Sequence, residues 1–369
     1  MSAFSGASQT LTEEEKARYD RQIRVWGAEA QTRIQNAKVL IIGLNGVHPE
    51  VVKNIVLAGV GVVLMDKRTV MASDLAYNFF LTAEDVGKEA AQASAPRIQE
   101  LNSFASVTVE GRDLREIDND YLQQFTEVLV SGGACCDMAT ALRINHACRK
   151  SEGSIPFFWS SIGGNEGLFV SDFGPNFVFT RKVPSSLGKE TSDLTEARKR
   201  PTSSPSSSHD EGNAEKEEEQ REQIAVSFPS LEDVITKPWC QIKVRKMPAP
   251  VSLAKCQLMA FLTEIDGQGK KRIASEDRQA FVATKVKENG VADDFIVQGG
   301  DAEEACNRLA LLPRYPSVTI CSTLGSFLAQ EVIKGISRTS APNFNASVCP
   351  GDGQGIVVYP INDGMTSPV

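Results

Sequence analysis

The chain has 369 residues, 41% hydrophobic and 23% charged, an ordinary balance for a globular protein that buries a sizeable core. Thirty-nine Lys and Arg against 47 Asp and Glu leave a net charge of −8, which excludes a general nucleic-acid binder. No run approaches the roughly eighteen apolar residues of a membrane span. Met1 to Arg18 is polar without an apolar signal core, so neither membrane residence nor secretion is expected.

The first segment of note is YDRQIRVWG, residues 19–27. It is doubly basic, with Trp26 as an apolar anchor, and on a helix Arg21 and Arg24 project from one face at i, i+3. Two guanidinium groups so placed can grip one anion, although both can equally stay solvated. Residues 38–43 (KVLIIG) form a short apolar run ending in glycine, which predicts a strand buried on both faces. Apolar residues recurring from Val47 to Val56, closed by Gly59, predict a helix. Residues 61–66 (GVVLMD) predict a second strand with Asp66 at its carboxyl end. Strand, turn, helix, strand, acid within about thirty residues outlines a nucleotide-binding βαβ unit.

Further along, a helix is expected over 83–101, strands over 106–110 and 127–131, and a helix over 137–150. Two more strands follow over 155–160 and 167–172. This alternation predicts an α/β fold with a doubly wound, Rossmann-like, mostly parallel sheet. The chain divides accordingly into 1–184, the first part of that domain; 185–223, a Ser/Pro/acidic stretch; 224–312, a small helical insertion; and 313–369, a closing part. The stretch 185–223 has no aromatic residue and few aliphatics, and reads as a disordered, dispensable tether. Within it Ala-Arg-Lys-Arg-Pro (197–201) reads equally as a solvated charge cluster or a nuclear-import signal. A buried-looking helix is expected over 317–336, and strand and turn signals over 348–360 should return to the sheet.

The eight cysteines, Cys135, Cys136, Cys148, Cys240, Cys256, Cys306, Cys321 and Cys349, contain no CxxC pair. Reduced, mostly buried thiols and no metal site are therefore expected.

The 19–27 segment, the βαβ unit and LGSFLAQEVIK (324–334) arrive in an order that resembles the adenylation domains of ubiquitin-like-modifier activating enzymes, with their ThiF/MoeB-like fold. Against that family the departures are as informative as the matches. Its GxGGxG loop here reads Gly43-Leu-Asn45-Gly46-Val-His48, and a Cβ at Asn45 or His48 obstructs close backbone approach to phosphate. Gly43 and Gly46 therefore read better as a tight strand-to-helix turn. Asp66 matches the acid that holds a ribose. The family's Asn and Arg for the phosphates fall on Ala76 and Tyr77, and a further lysine falls on Ala90. The magnesium-binding Asp falls on Cys136, with Asp137 one residue out of register. A nucleophilic thiol is expected nowhere in the chain, although Cys240 lies near Lys237, Lys243 and Arg245.

Such a pattern resembles the smaller, non-catalytic subunits of heterodimeric activating enzymes, the SUMO type by length and insertion. The Nedd-type counterpart is longer. A homodimeric sulfur-transfer adenylating enzyme would require the intact loop, and a Rossmann oxidoreductase would leave residues 19–27 unexplained. The resemblance implies a catalytic large subunit as partner, with ATP and Mg bound there and no cofactor on this chain. SUMO would be engaged through the complex. Arg21 matches the family arginine that reaches across to the partner's ATP. The location implied is the nucleus, and also the cytoplasm.

Overall fold

The computed structural model describes residues 11–133, 135–163, 166–182, 221–236, 316–342, 346–351 and 355–360. Three short helices, α1 (Glu13–Arg18), α2 (Asp20–Trp26) and α3 (Ala28–Asn36), lead into β1 (Lys38–Ile42), α4 (His48–Ala58) and β2 (Gly61–Met65). Then come α5 (Ala90–Leu101), β3 (Val107–Val109), α6 (Asn119–Leu122), β4 (Glu127–Ser131) and α7 (Met138–Lys150). The next elements are β5 (Phe157–Gly163), β6 (Glu166–Asp172), β7 (Phe177–Lys182), β8 (Arg221–Val226) and α8 (Leu231–Thr236). Helix α9 (Val318–Ser337) and strands β9 (Ala346–Gly351) and β10 (Gly355–Pro360) close the described fold.

Eight strands form one sheet in the order β10-β9-β6-β5-β4-β1-β2-β3. From β3 to β5 the pairings are parallel, and β6, β9 and β10 continue it antiparallel. The expected doubly wound, mostly parallel sheet is thus present with an antiparallel extension. The break falls at β5–β6 because so short a connection cannot make a parallel crossover. Strand β9 pairs with β6, Val348 opposite Gly167, so the C-terminal segment does return to the sheet.

Alternation along β1 explains the two-layer core. Leu40 and Ile42 face one cluster with Ile144 of α7 and Leu231 of α8. Val39 and Ile41 face the other, with Val51 and Ile55 of α4 and Leu324 and Leu328 of α9. Each such aliphatic, fully buried, contributes about 1.5–3 kcal/mol before the entropy of ordering is subtracted. Helix α9 lies close on α4 because Gly325 has no side chain; a Cβ there would stand 2.5 Å from Glu50 Cβ.

Two expectations need correction. The helix over 83–101 starts only at Ala90: residues 83–85 make a 3-10 turn, and Gly87 takes φ +92°, which ends any helical continuation. Asp85 holds this corner by bonding Lys88 at 2.9 Å and Arg97 at 2.7 Å. The polar stretch 185–223 also ends earlier than its composition suggested. Arg221, Glu222 and Gln223 belong to β8, paired antiparallel with Lys182, Arg181 and Thr180 of β7. Polar side chains conceal a strand whose ordering comes from backbone pairing. Residues 185–220 lie outside the described residues, as does most of the helical insertion expected over 224–312.

One buried group makes the fold pH-sensitive. Glu127, at the start of β4, is fully buried, and neither carboxylate oxygen has a hydrogen-bond partner among the described residues. Gly335 of α9 packs directly over it. Burial pushes its pKa well above the usual carboxylate range; Arg338 opposes this and Glu331 adds to it. The folded state therefore keeps a proton that the unfolded chain releases, so stability falls as pH rises from the ordinary carboxylate value toward the folded one. The variant E127Q removes this dependence. Its melting temperature is expected to exceed the wild type's by clearly more at pH 8 than at pH 5; equal differences at both would show that Glu127 is ionised in the fold.

Candidate functional site

The segment 19–27 is mounted by its tyrosine. Tyr19 is 1% exposed, and its hydroxyl accepts from Asn102 Nδ2 at 2.8 Å, while Asn102 also donates to the Val56 carbonyl at 2.8 Å. The ring sits where a Cβ on Gly59 would come, 2.9 Å from the hydroxyl, so the left-handed glycine ending α4 makes room for it. Trp26 is half-buried and donates to Gln31 at 2.9 Å, which agrees with its anchoring role. Between the two anchors α2 turns Arg21, Arg24 and Val25 outward. Arg24 pairs with Asp20 at 2.9 Å. Arg21 is exposed and has no ion-pair partner among the described residues.

The strand-to-helix loop is built as a turn. Gly43 and Gly46 have φ of +84° and +59°, and side chains there would collide with Cys135 and Ile162, at 2.6 and 2.4 Å. His48 is fully buried beneath the loop, Nδ1 2.7 Å from the Gly43 carbonyl and Nε2 3.1 Å from Ser160 Oγ. A carbonyl only accepts, so Nδ1 carries the proton and Nε2 accepts from the serine. Burial pushes the His48 pKa down to about 4, against the Gly43 bond and the Asp66 charge. A neutral imidazole therefore braces the loop from inside. Asn45 is half-buried, and its carbonyl accepts from the His48 N–H at 3.3 Å.

Asp66 lies at the end of β2, as its position in the sequence predicted, and every bond it makes is internal. Oδ2 accepts from Leu44 N–H at 2.8 Å and from Arg68 Nη2 at 2.9 Å; Oδ1 accepts from Arg68 N–H at 3.0 Å and Nε at 3.2 Å. The side chains are 1% and 18% exposed. Arg68 also lies 4.0 Å from Asp74, which accepts from the Tyr77 hydroxyl. Tyr77 is buried, and burial and the Asp74 bond raise its pKa. The carboxylate that matches a ribose ligand is thus clamped by a guanidinium two residues on. The sequence reading missed Arg68. An Asp-x-Arg spacing just after a strand was the available signal.

The remaining positions are equally occupied. Ala76 is exposed, and Ala90 is buried at the start of α5, its N–H donating to the Arg68 carbonyl at 2.9 Å. Asp137 caps α7, its Oδ1 accepting from Thr140 N–H at 2.7 Å. Cys136 is buried, and burial pushes its thiol up to about 12; the same cause raises Cys135, Cys148 and Cys321. Thiols so shifted are poor nucleophiles near neutrality. Cys240 and Cys256 lie outside the described residues. Among the described residues no cluster of His, Cys, Asp or Glu could hold a metal, and no helix is long and apolar enough to cross a membrane. Asp66 is taken by Arg68 and Tyr77 by Asp74, while Asp137 uses one carboxylate oxygen as a helix cap.

The ThiF family matches residues 19–353, from the mounted tyrosine to the strand beyond α9. The chain belongs to the ThiF family. Among ThiF relatives, SUMO-activating enzyme subunit 1A of Arabidopsis thaliana is 30% identical over 374 residues, covering 97% of this chain and 98% of its own. SUMO-activating enzyme subunit 1 of Rattus norvegicus is 28% identical over 359 residues, 96% of each chain. The human subunit 1 is 27% identical, covering 94% and 95%. A crystal structure of E. coli MccB with MccA-N7isoASN overlays at a TM-score of 0.48 and 15% identity, over 96% of this chain and 74% of that one.

Proposed function

We propose that this ThiF-family chain is the non-catalytic subunit of a SUMO-activating enzyme. It pairs with a catalytic large subunit, completes that subunit's ATP site in trans, and thereby supports adenylation of the SUMO C-terminus and its transfer to a cysteine of the partner. The observation that carries this reading is the end-to-end match to relatives named as subunit 1 of that enzyme. ATP and Mg belong to the partner's site. In this chain Arg68 takes the carboxylate that a ribose would need, and His48 fills the space under the loop. What remains available is Arg21, exposed on α2 and without an ion-pair partner among the described residues. A guanidinium there can give charge-assisted hydrogen bonds to a phosphate presented from outside. The nucleus, and also the cytoplasm, is the proposed location; the basic run 197–201 that motivates it lies outside the described residues.

The isolated, monodisperse chain is expected to give no ATP–pyrophosphate exchange in the presence of SUMO, and the co-purified heterodimer to give robust exchange. Exchange by the isolated chain at the heterodimer's rate would overturn the non-catalytic assignment.

A further inference from the structure

A cleft of about 1200 Å³ opens between α2, α9 and the antiparallel β7–β8 pair. That exceeds the roughly 300–1,000 Å³ of small-molecule sites, so its size suits a chain segment better than a metabolite. Its charge runs against the molecule's. In a chain of net charge −8, the cleft is lined by Arg24, Arg33, Arg221, Lys334 and Arg338, with Glu29 the one acid among its lining residues. Arg33 and Lys334 are engaged inside the fold, by the Ser337 carbonyl and by Glu331. Arg24 and Arg221 point to solvent, and Arg338 is exposed with its guanidinium 5.4 Å over the Phe177 ring. The Arg24 side chain is 76% exposed and the Arg221 side chain 56%, and their pairs with Asp20 and Glu29 are of the solvent-exposed kind that contributes little.

An apolar anchor point lies beside this charge. Val25 is 79% exposed at the tip of α2, next to half-buried Trp26, and Val178 of β7 lines the facing wall. Gln22, at the cleft's edge, carries a buried side-chain oxygen with no hydrogen-bond partner among the described residues. A tryptophan, a ring of arginines and an unfilled acceptor are the elements of a protein-docking surface. The same short helix presents Arg21, so a segment seated here would fix the direction in which that arginine points.

We propose that this cleft receives an extended acidic segment of the catalytic partner subunit, with carboxylates on Arg24, Arg221 and Arg338 and an apolar side chain against Val25 and Trp26. The inference rests on the heterodimer reading above and adds the place and chemistry of the contact. Charge reversal tests it. The triple variant R24E/R221E/R338E, with its fold checked by circular dichroism and melting temperature, is expected to bind the purified large subunit at least about tenfold more weakly than wild type, mainly through slower association, with a weaker salt dependence. The control is R115E, at a side chain 93% exposed on the loop before α6, which is expected to bind as wild type does. A second arm survives any loss of stability in the triple variant. The single replacement Val25→p-benzoylphenylalanine, irradiated in the assembled heterodimer, should cross-link to a large-subunit peptide rich in Asp and Glu. Wild-type affinity in a folded triple variant, or a cross-link to a peptide without acidic residues, overturns the inference and leaves the heterodimer reading intact. Failure of the wild-type chain to bind the large subunit at all removes both.

Discussion

Replacing Arg21 with alanine is expected to lower adenylation by the assembled heterodimer by roughly 10- to 150-fold. The figure follows from a net loss equivalent to one charge-assisted hydrogen bond to phosphate, which contributes about 1.5–3 kcal/mol. The setting of Arg21 favours such a role. Tyr19 and Trp26 pin the two ends of α2 to the core, so the outward residues between them are held on a fixed support. Arg21 is exposed and has no ion-pair partner among the described residues. The loss should appear in the KM for ATP or in the adenylation rate, while size exclusion still shows an intact heterodimer. Arg21→Lys should recover only part of the activity, because a point charge does not repeat a bidentate grip. Wild-type kinetics in an intact R21A complex would falsify the in-trans role and leave the chain a scaffold.

The βαβ unit was legible because its signals are local. Residues 39–43 and 61–65 are uninterrupted apolar runs, and Gly59 marks the helix end where the backbone turns left-handed. The tight strand-to-helix turn was legible too, since Gly43 and Gly46 both take the positive φ such a turn requires. What the sequence could not disclose were contacts between distant residues. Ser160 braces His48 across 112 positions, and Asn102 holds Tyr19 across 83. Neither spacing leaves a periodic trace. The start of strand β8 failed for a related reason: Arg221, Glu222 and Gln223 are polar, and they are ordered by pairing with β7 while Ile224 and Val226 further along pack on the core. Arg68 is the instructive miss, because it is local. A loss of nucleotide ligands was inferred from what Ala76, Tyr77 and Ala90 lack, whereas the geometry adds a residue that takes their carboxylate partner.

That clamp makes Asp66 a residue of the fold, and the consequence is measurable. Asp66→Asn keeps the shape and removes the charge, leaving the Arg68 guanidinium, only 18% exposed, with Asp74 at 4.0 Å as its nearest remaining acid. Breaking a buried pair from one side costs about 3–5 kcal/mol, because the other charge stays buried without compensation. The Asp74 contact should place this variant near the lower end of that range. The isolated D66N chain is therefore expected to unfold at distinctly lower denaturant than wild type, with an unchanged slope. Removing both charges, in Asp66→Asn combined with Arg68→Met, should recover much of the loss, since no charge is then stranded. In heterodimers assembled under stabilising conditions, both variants should keep the wild-type KM for ATP if, as proposed, the nucleotide is held by the partner subunit. A chain whose Asp66 held a ribose would show the reverse, a large rise in KM with little change in unfolding. The two readings thus separate on one pair of measurements, and Arg68 is the side chain that decides between them.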